Sequence, residues 1–256
     1  MNPFVVVIPA RHASSRLPGK PLRLLAGKPM LQHVWDRGRE SAARSVIVAT
    51  DDPRIADAAR DFGAEVCMTS AAHQSGSERV AEVCSQRRWP DGQVVVNLQG
   101  DEPLMPAALI DQCAALLDDG AAEVATLASP LASDADLSNP NVVKVLVDAA
   151  DHALYFSRAA IPHPRSPDGA ALARAAALHH HGIYAYRVAA LRRLVGTPGP
   201  AIERCEQLEQ LRALYLGMTV RVARPAASPG PGVDTEEDLA RVERLLRRGA
   251  PARGRS

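Results

Sequence analysis

Phe4-Val5-Val6-Val7-Ile8-Pro9-Ala10-Arg11-His12-Ala13-Ser14-Ser15-Arg16-Leu17-Pro18-Gly19-Lys20-Pro21-Leu22 is the stretch from which the fold is read. Phe4 to Ile8 form a short continuous apolar run, the pattern of a fully buried strand. The loop that leaves this strand carries Arg11, Arg16, Lys20, Ser14, Ser15 and Gly19, with Pro18 and Pro21 restricting its shape. Guanidinium forks, a mobile ammonium, small hydroxyls and close backbone N–H groups are what a polyphosphate needs. A solvated basic loop has the same composition, so the rest of the chain must decide between the two.

Outward from that loop, strands and helices alternate. Pro29 opens a helix carrying Leu31, Val34, Trp35 and Gly38, and Ser45–Thr50 reads as a second strand. Pro53 starts a helix with Ile55, Ala58, Ala59 and Phe62 on one face, and Gly63 stops it. Glu65–Met68 is a third strand. Ser75-Gly76-Ser77-Glu78 has capping-box spacing ahead of the stripe Val80, Val83 and Cys84. Gln93–Leu98 is a fourth strand, followed after Pro106 by a helix burying Leu109, Ile110, Cys113 and Leu117. This alternation predicts an α/β fold with a Rossmann-like, doubly wound, mostly parallel sheet. Ligands of such sheets bind beyond the carboxyl ends of the strands, so the loop 9–20 and the segment after Leu98 should share a cleft.

From Glu123 the rhythm changes. Glu123–Leu131, Val142–Asp148 and His180–Arg187 read as strands of an added antiparallel part, with an alanine-rich insertion between Ser166 and Ala177. Ile202 to Leu216 reads as one helix, with Leu208, Leu211 and Tyr215 on one face and Glu203, Glu206 and Gln210 opposite. A final helix runs from Thr235. Residues 1–246 are expected to form a single domain, and the basic Arg247–Ser256 stretch has nothing to bury and is expected to be a disordered tail.

Composition narrows the classes. With 30 basic and 29 acidic side chains in 256 residues the chain is nearly neutral, which gives no case for nucleic acid or an anionic membrane. Cys67, Cys84, Cys113 and Cys205 are scattered without a CxxC pair, and are expected to be reduced core thiols of a cytoplasmic protein. The opening apolar run is too short for a signal peptide, and no run is long enough to span a bilayer. No glycine-rich dinucleotide fingerprint or P-loop pattern is present.

Gln99-Gly100-Asp101-Glu102-Pro103 follows the fourth strand directly. A carboxylate at that edge, facing a basic loop, is placed to hold Mg²⁺ between phosphate oxygens; Asp101 or Glu102 can also simply start a turn. Asp234 is a second candidate, but Asp234 or Thr235 can equally cap the last helix. His179-His180-His181 does not read as a zinc site, because successive strand residues point to opposite faces.

Taken together, these motifs resemble one family, the sugar nucleotidyltransferases, and more narrowly the cytidylyltransferases of the eight-carbon acid sugar 3-deoxy-manno-octulosonate (KDO). The likeness covers nearly the whole chain except the tail. It runs from Pro9-Ala10-Arg11 and Leu17–Leu22 through Ile47–Asp51, His73–Arg79, Asn97–Pro103 and Ala153–Arg158. It continues in Gly182–Tyr184, Leu208–Arg212 and Gly232–Thr235. The resemblance implies CMP transfer from CTP to KDO with release of pyrophosphate, for lipopolysaccharide assembly, by an Mg²⁺-dependent homodimer. It implies that Arg11, Arg16 and Lys20 hold the triphosphate and, with Asp101, are catalytic. Ala10, Ser75, Gly76 and Arg79 would line the cytidine side. Gln99, Arg158, His180, Tyr184, Glu209 and Gln210 would contact the sugar, and Asp101 and Asp234 would ligate Mg²⁺.

Two departures stand out. His181 takes a place that is apolar in the family, which leaves open whether it or His180 faces the sugar. His163-Pro164-Arg165 replaces a Trp-containing turn near the family's dimer contact. Another acidic sugar, such as a sialic acid or 8-amino-KDO, and a nucleotide-binding regulator without turnover are the alternatives.

Overall fold

The computed structural model describes residues 2–12, 17–166 and 169–249, so Arg16 and residues 250–256 of the expected tail lie outside the described residues. The chain opens with β1 (Phe4–Ala10), the hairpin β2 (Leu24–Leu25) and β3 (Lys28–Pro29), then α1 (Met30–Glu40). Next come β4 (Val46–Thr50), α2 (Pro53–Asp61), β5 (Glu65–Met68), α3 (Gly76–Gln86), β6 (Val94–Asn97) and α4 (Ala107–Ala115). β7 (Val124–Pro130), α5 (Asp134–Ser138), β8 (Lys144–Val147), β9 (Ala153–Ser157), α6 (Gly169–Ala176) and β10 (Leu178–Arg187) follow. The last elements are α7 (Val188–Val195), α8 (Ala201–Glu206), α9 (Gln210–Tyr215), β11 (Val220–Ala223) and α10 (Glu236–Gly249).

The chain divides into two compact units, each built from separated stretches. The first comprises Val5–Arg87, Asn97–Ile110 and the chain from Ala227 on. Its sheet has the order β1-β4-β5 and is wholly parallel, with Val6 opposite Val46, Ile8 opposite Val48 and Ala49 opposite Cys67. β1 and β4 are buried at every position, as continuous apolar runs predict for strands covered on both faces. α1 and α2 supply the crossovers that parallel strands require. α1 lies very close to β4: a Cβ on Gly38 would come within 2.9 Å of Val46 Cγ1. The Asp52 side chain caps α2 at the Arg54 N–H, and the Ser75–Glu78 capping box starts α3.

One apolar cluster fixes the basic loop. Leu17, Leu25, Met30, Val233 and Val242 are buried together, with Leu104, Leu239 and Leu246 packed against them. The end of the loop, the β2–β3 hairpin and α10 thus share a core. A bidentate pair from Arg23 to Glu236 (2.7 and 2.9 Å) and the Ala26 N–H donated to Glu243 (2.6 Å) close its rim. α10 runs through Gly249, past the expected start of the tail at Arg247. Arg247 Nε donates to Glu243 Oε1 one turn earlier (2.6 Å), and a basic last turn suits the helix C-terminus.

The second unit comprises the N-terminal residues to Phe4, Arg88–Val96 and Asp111–Ala226. Its strand order is β11-β7-β10-β6, with β11 parallel to β7 and β10 antiparallel to it; β8 pairs antiparallel with β10 and β9. The expected antiparallel part is present here. The alanine-rich insertion contains α6. Three of the cysteines are buried, but Cys205 is exposed, because α8 buries none of its residues. The single helix expected over Ile202–Leu216 is two helices. Gln207 adopts a left-handed conformation (φ 51°, ψ 48°) and breaks it. The acids read opposite the apolar face are engaged: Glu203 pairs with Arg212, and Glu206 receives Ser157 Oγ (2.6 Å) and the Arg158 N–H (2.9 Å).

The cluster beneath the loop sets a stability prediction. Leu25→Ala, at a position with no exposure, should cost about 2–5 kcal/mol, the usual range for a large-to-small core change. Urea denaturation measures it.

Candidate active site

The site is built within the first unit, around Lys20. Gly19 sits at φ +66° before a 3-10 turn over Lys20–Leu22, and its N–H donates to the His12 carbonyl (3.2 Å). Pro21 occupies the first turn, where its missing N–H costs nothing. This folded-back loop aims the Lys20 ammonium at three acceptors: Asp101 Oδ2 (2.7 Å), the Val233 carbonyl (2.7 Å) and Asp234 Oδ1 (3.2 Å).

The segment after β6 reaches this point by running beside β1. Leu98 N–H donates to the Val7 carbonyl (3.1 Å). A Cβ on Gly100 would lie 3.0 Å from the Pro9 carbonyl oxygen, so glycine suits this close approach of the two backbones. Val233 N–H donates to the Asp101 carbonyl (2.9 Å), which ties the stretch before α10 to the same place.

These residues open onto a cavity of about 270 Å³ lined by Ala10, Arg11, Lys20, Ser75, Gly76, Arg79, Gln99, Asp101 and Asp234. The structure therefore brings together every described nucleotide and metal candidate, and Gln99 with them. Gly76 is packed tightly, since a Cβ there would meet Pro9 Cγ at 3.2 Å and Gln99 Oε1 at 3.3 Å. Ser75 and Gly76, at the capped start of α3, thus line the cavity. Arg79 is buried and held by Thr69 Oγ1 (2.5 Å) and by Asp51 (3.1 Å). His73, also at the cavity wall, is bound to Glu82 Oε2 (2.5 Å).

Electrostatics concentrate on the acidic side. Burial, and then the Asp101 and Asp234 carboxylates, push the Glu102 carboxyl up to about 8, so it is neutral at pH 7 and adds no third negative charge. Among the described residues, no group of three or more His, Cys, Asp or Glu side chains is arranged around one metal position.

The structure separates the two roles left open for Asp234. Thr235 caps α10: its Oγ1 accepts the Asp238 N–H (3.2 Å), and Asp238 Oδ2 accepts the Thr235 N–H (3.0 Å). The Asp234 carboxylate is turned instead toward Lys20.

The remaining sugar candidates belong to the second unit. Arg158 is clamped by the Glu206 carbonyl (2.8 Å from Nε) and the Pro140 carbonyl (3.0 Å from Nη1). His180 is buried, with its ring 5.1 Å from Phe156 and 5.2 Å from Tyr184, while His179 and His181 lie 5.0 Å apart from each other. Thr126 gives its hydroxyl proton to the Ile183 carbonyl (2.7 Å), which leaves Oγ1 to accept from His180 Nε2 (3.1 Å). Burial, with His181 and His179 nearby, pushes His180 down to about 3, so it is an uncharged imidazole. His181 is bonded to Ser129 (3.0 Å) and pushed down to about 4 by burial and His179. Glu209 and Gln210 begin α9, and Gln210 is buried.

Sequence reasoning missed the supports. Glu206, Thr126 and the fully buried Lys144, whose ammonium is satisfied by the carbonyls of Asn139, Val142 and Arg158, hold the framework of the second unit. Lys144 alone gave a signal, as a charge inside an apolar strand pattern.

Residues 5–220 match the family described as Cytidylyltransferase. A 3-deoxy-manno-octulosonate cytidylyltransferase of Halorhodospira halophila is 52% identical over 95% of this chain and 96% of its own. That of Yersinia enterocolitica is 50% identical over 95% and 98%. Among solved structures, CMP:2-keto-3-deoxy-manno-octonic acid synthetase complexed with CTP superimposes with a TM-score of 0.88 at 42% identity, covering 97% of this chain and 100% of that one. The chain belongs to the cytidylyltransferase family, and within it to the 3-deoxy-manno-octulosonate cytidylyltransferases.

The division of labour at the start of α10 is testable. Thr235→Ala should lower stability by about 0.5–2 kcal/mol as a lost cap. Asp234→Asn should leave the denaturation midpoint nearly unchanged while reducing turnover.

Proposed function

We propose that this chain transfers CMP from CTP to KDO, releasing pyrophosphate and giving the activated sugar used in lipopolysaccharide assembly. The observation that carries the reading is the Lys20 ammonium between the Asp101 and Asp234 carboxylates, at the wall of a cavity that also presents Arg11 and Arg79. The anomeric hydroxyl of the sugar attacks the α-phosphorus in line. A new oxygen–phosphorus bond forms, the bond from the α-phosphorus to the bridging oxygen breaks, the hydroxyl proton passes to solvent, and pyrophosphate departs.

Such a reaction leaves the protein little covalent work; positioning and charge neutralisation dominate. Arg11 and Lys20 neutralise the phosphates, with Arg16 added by the resemblance. The helix end at Ser75 and Gly76, with Ala10 and Arg79, receives the cytidine side. Gln99, Arg158, His180, Tyr184, Glu209 and Gln210 are carried over as sugar contacts. His180 fits a neutral hydrogen-bonding role, because it titrates far below neutral pH.

The donor set at Asp101 and Asp234 suits Mg²⁺. Two carboxylates already converge on one cationic centre, and Mg²⁺ commonly takes one or two carboxylates together with substrate phosphates. When bound, the ion would lower the repulsion between phosphate oxygens and an incoming hydroxyl. A homodimer in the cytoplasm completes the proposal. Among the described residues no helix is long and apolar enough to cross a membrane.

The test is pyrophosphate release with CTP and each acid sugar. KDO should support turnover and sialic acid should not; release with another sugar but not KDO would overturn the assignment. Asp101→Ala should lower turnover by about 10²–10³ or more while CTP binding, read by calorimetry, survives. Wild-type protein that binds CTP yet turns over no acid sugar would mark a regulator. Chelation with EDTA should abolish release, and added Mg²⁺ should restore it.

A further inference from the structure

The Lys20 ammonium does more than face a phosphate site. Its three acceptors are Asp101 Oδ2, Asp234 Oδ1 and the Val233 carbonyl, and its side chain is only 14% exposed. Two of these acceptors are the carboxylates assigned above to the metal. One cation of the chain therefore sits where a divalent cation would need the same oxygens. The arrangement is held from several sides: Gly19 folds the loop back, the Leu17–Leu25–Val233 cluster anchors it, and Val233 N–H fixes the approach to Asp101.

We propose that Lys20 is an internal counter-cation that competes with the metal for Asp101 and Asp234, so that metal and triphosphate load together rather than the metal first. The inference rests on the assignment of those carboxylates to a divalent cation. A metal arriving alone must share the two oxygens with a positive charge 2.7 Å from one of them, or displace that charge from both of its carboxylate partners. A triphosphate removes the obstacle by giving the ammonium phosphate oxygens to bind. By linkage, whatever the nucleotide does for metal affinity the metal does equally for nucleotide affinity. Lys20 thereby couples the two ligands, and half of the charge of the carboxylate pair is offset until the substrate arrives.

Mn²⁺ binding to the full-length, nucleotide-free protein, read by loss of the free-ion EPR signal, tests this without reference to turnover. Wild type should bind Mn²⁺ weakly. Lys20→Met, and Lys20→Gln as a second neutral variant, should bind it about tenfold tighter or more, since a charge in direct contact with the ligands is removed. Lys20→Arg keeps the charge and should stay weak. Adding Asp101→Asn to Lys20→Met should abolish the gain, and thermal unfolding of each variant verifies that it is folded.

If the folded neutral variants bind Mn²⁺ no tighter than wild type, or if Lys20→Arg gains as much as Lys20→Met, the competition is refuted. A second arm repeats the titration with CTP. There wild type should acquire tight Mn²⁺ binding that Asp101→Asn weakens. If Asp101→Asn leaves that nucleotide-dependent binding unchanged, the metal assignment itself is wrong and the inference falls with it.

Discussion

One ammonium group, Lys20 Nζ, holds three distant stretches of the chain in register: the loop after β1, the turn after β6 and the approach to α10. Without a cation at that point, Asp101 and Asp234 would face each other across a partly buried gap. Next door, burial and then the two carboxylates push the Glu102 carboxyl up. The surrounding structure can be understood as the means of placing this charge. Gly19 turns the loop, Gly100 lets the β6 exit lie against Pro9, and the apolar cluster around Leu25 and Val233 supplies the rigidity that an exposed basic loop would lack.

The same logic explains why the site sits at the carboxyl edge of a parallel sheet. β1 and β4 are apolar throughout and tolerate no polar function inside, so chemistry is confined to the segments that leave them. Arg11, Asp51 and Asp101 each lie at or just beyond such an exit. The second unit works differently. Its polar groups are paired within it: the buried His180 on Thr126, the buried Lys144 on three backbone carbonyls, and the half-buried Arg158 on Glu206. Removing one member of such a network leaves another buried group without a partner, which costs more than the bond itself contributes.

What could be read in the sequence follows from how local each signal is. Pro53, Gly63 and the Ser75–Glu78 box announce helix ends with their own side chains or backbone, and those elements lie where the spacing puts them. Asp101 was legible because its position after an apolar strand has a meaning in this fold class. Asp234 was not, since the Thr235–Asp238 box that frees it from capping depends on a choice between adjacent residues. The break at Gln207 was hidden for a stronger reason. The helical pattern from Ile202 to Leu216 is continuous, while the partners Glu206 finds beside the break, Ser157 and Arg158, lie far away in sequence. β9 and β11 were not read as strands from the sequence.

Lys20, Asp101 and Asp234 are proposed to form the phosphate and metal centre of the enzyme. A crystal structure with CTP and Mg²⁺ bound tests it most directly. The expected result is a metal ligated by Asp101 and Asp234 and by phosphate oxygens, with Lys20 Nζ moved from the carboxylates onto the triphosphate. A triphosphate bound with its metal away from both carboxylates, and Lys20 still paired to Asp101, would contradict it.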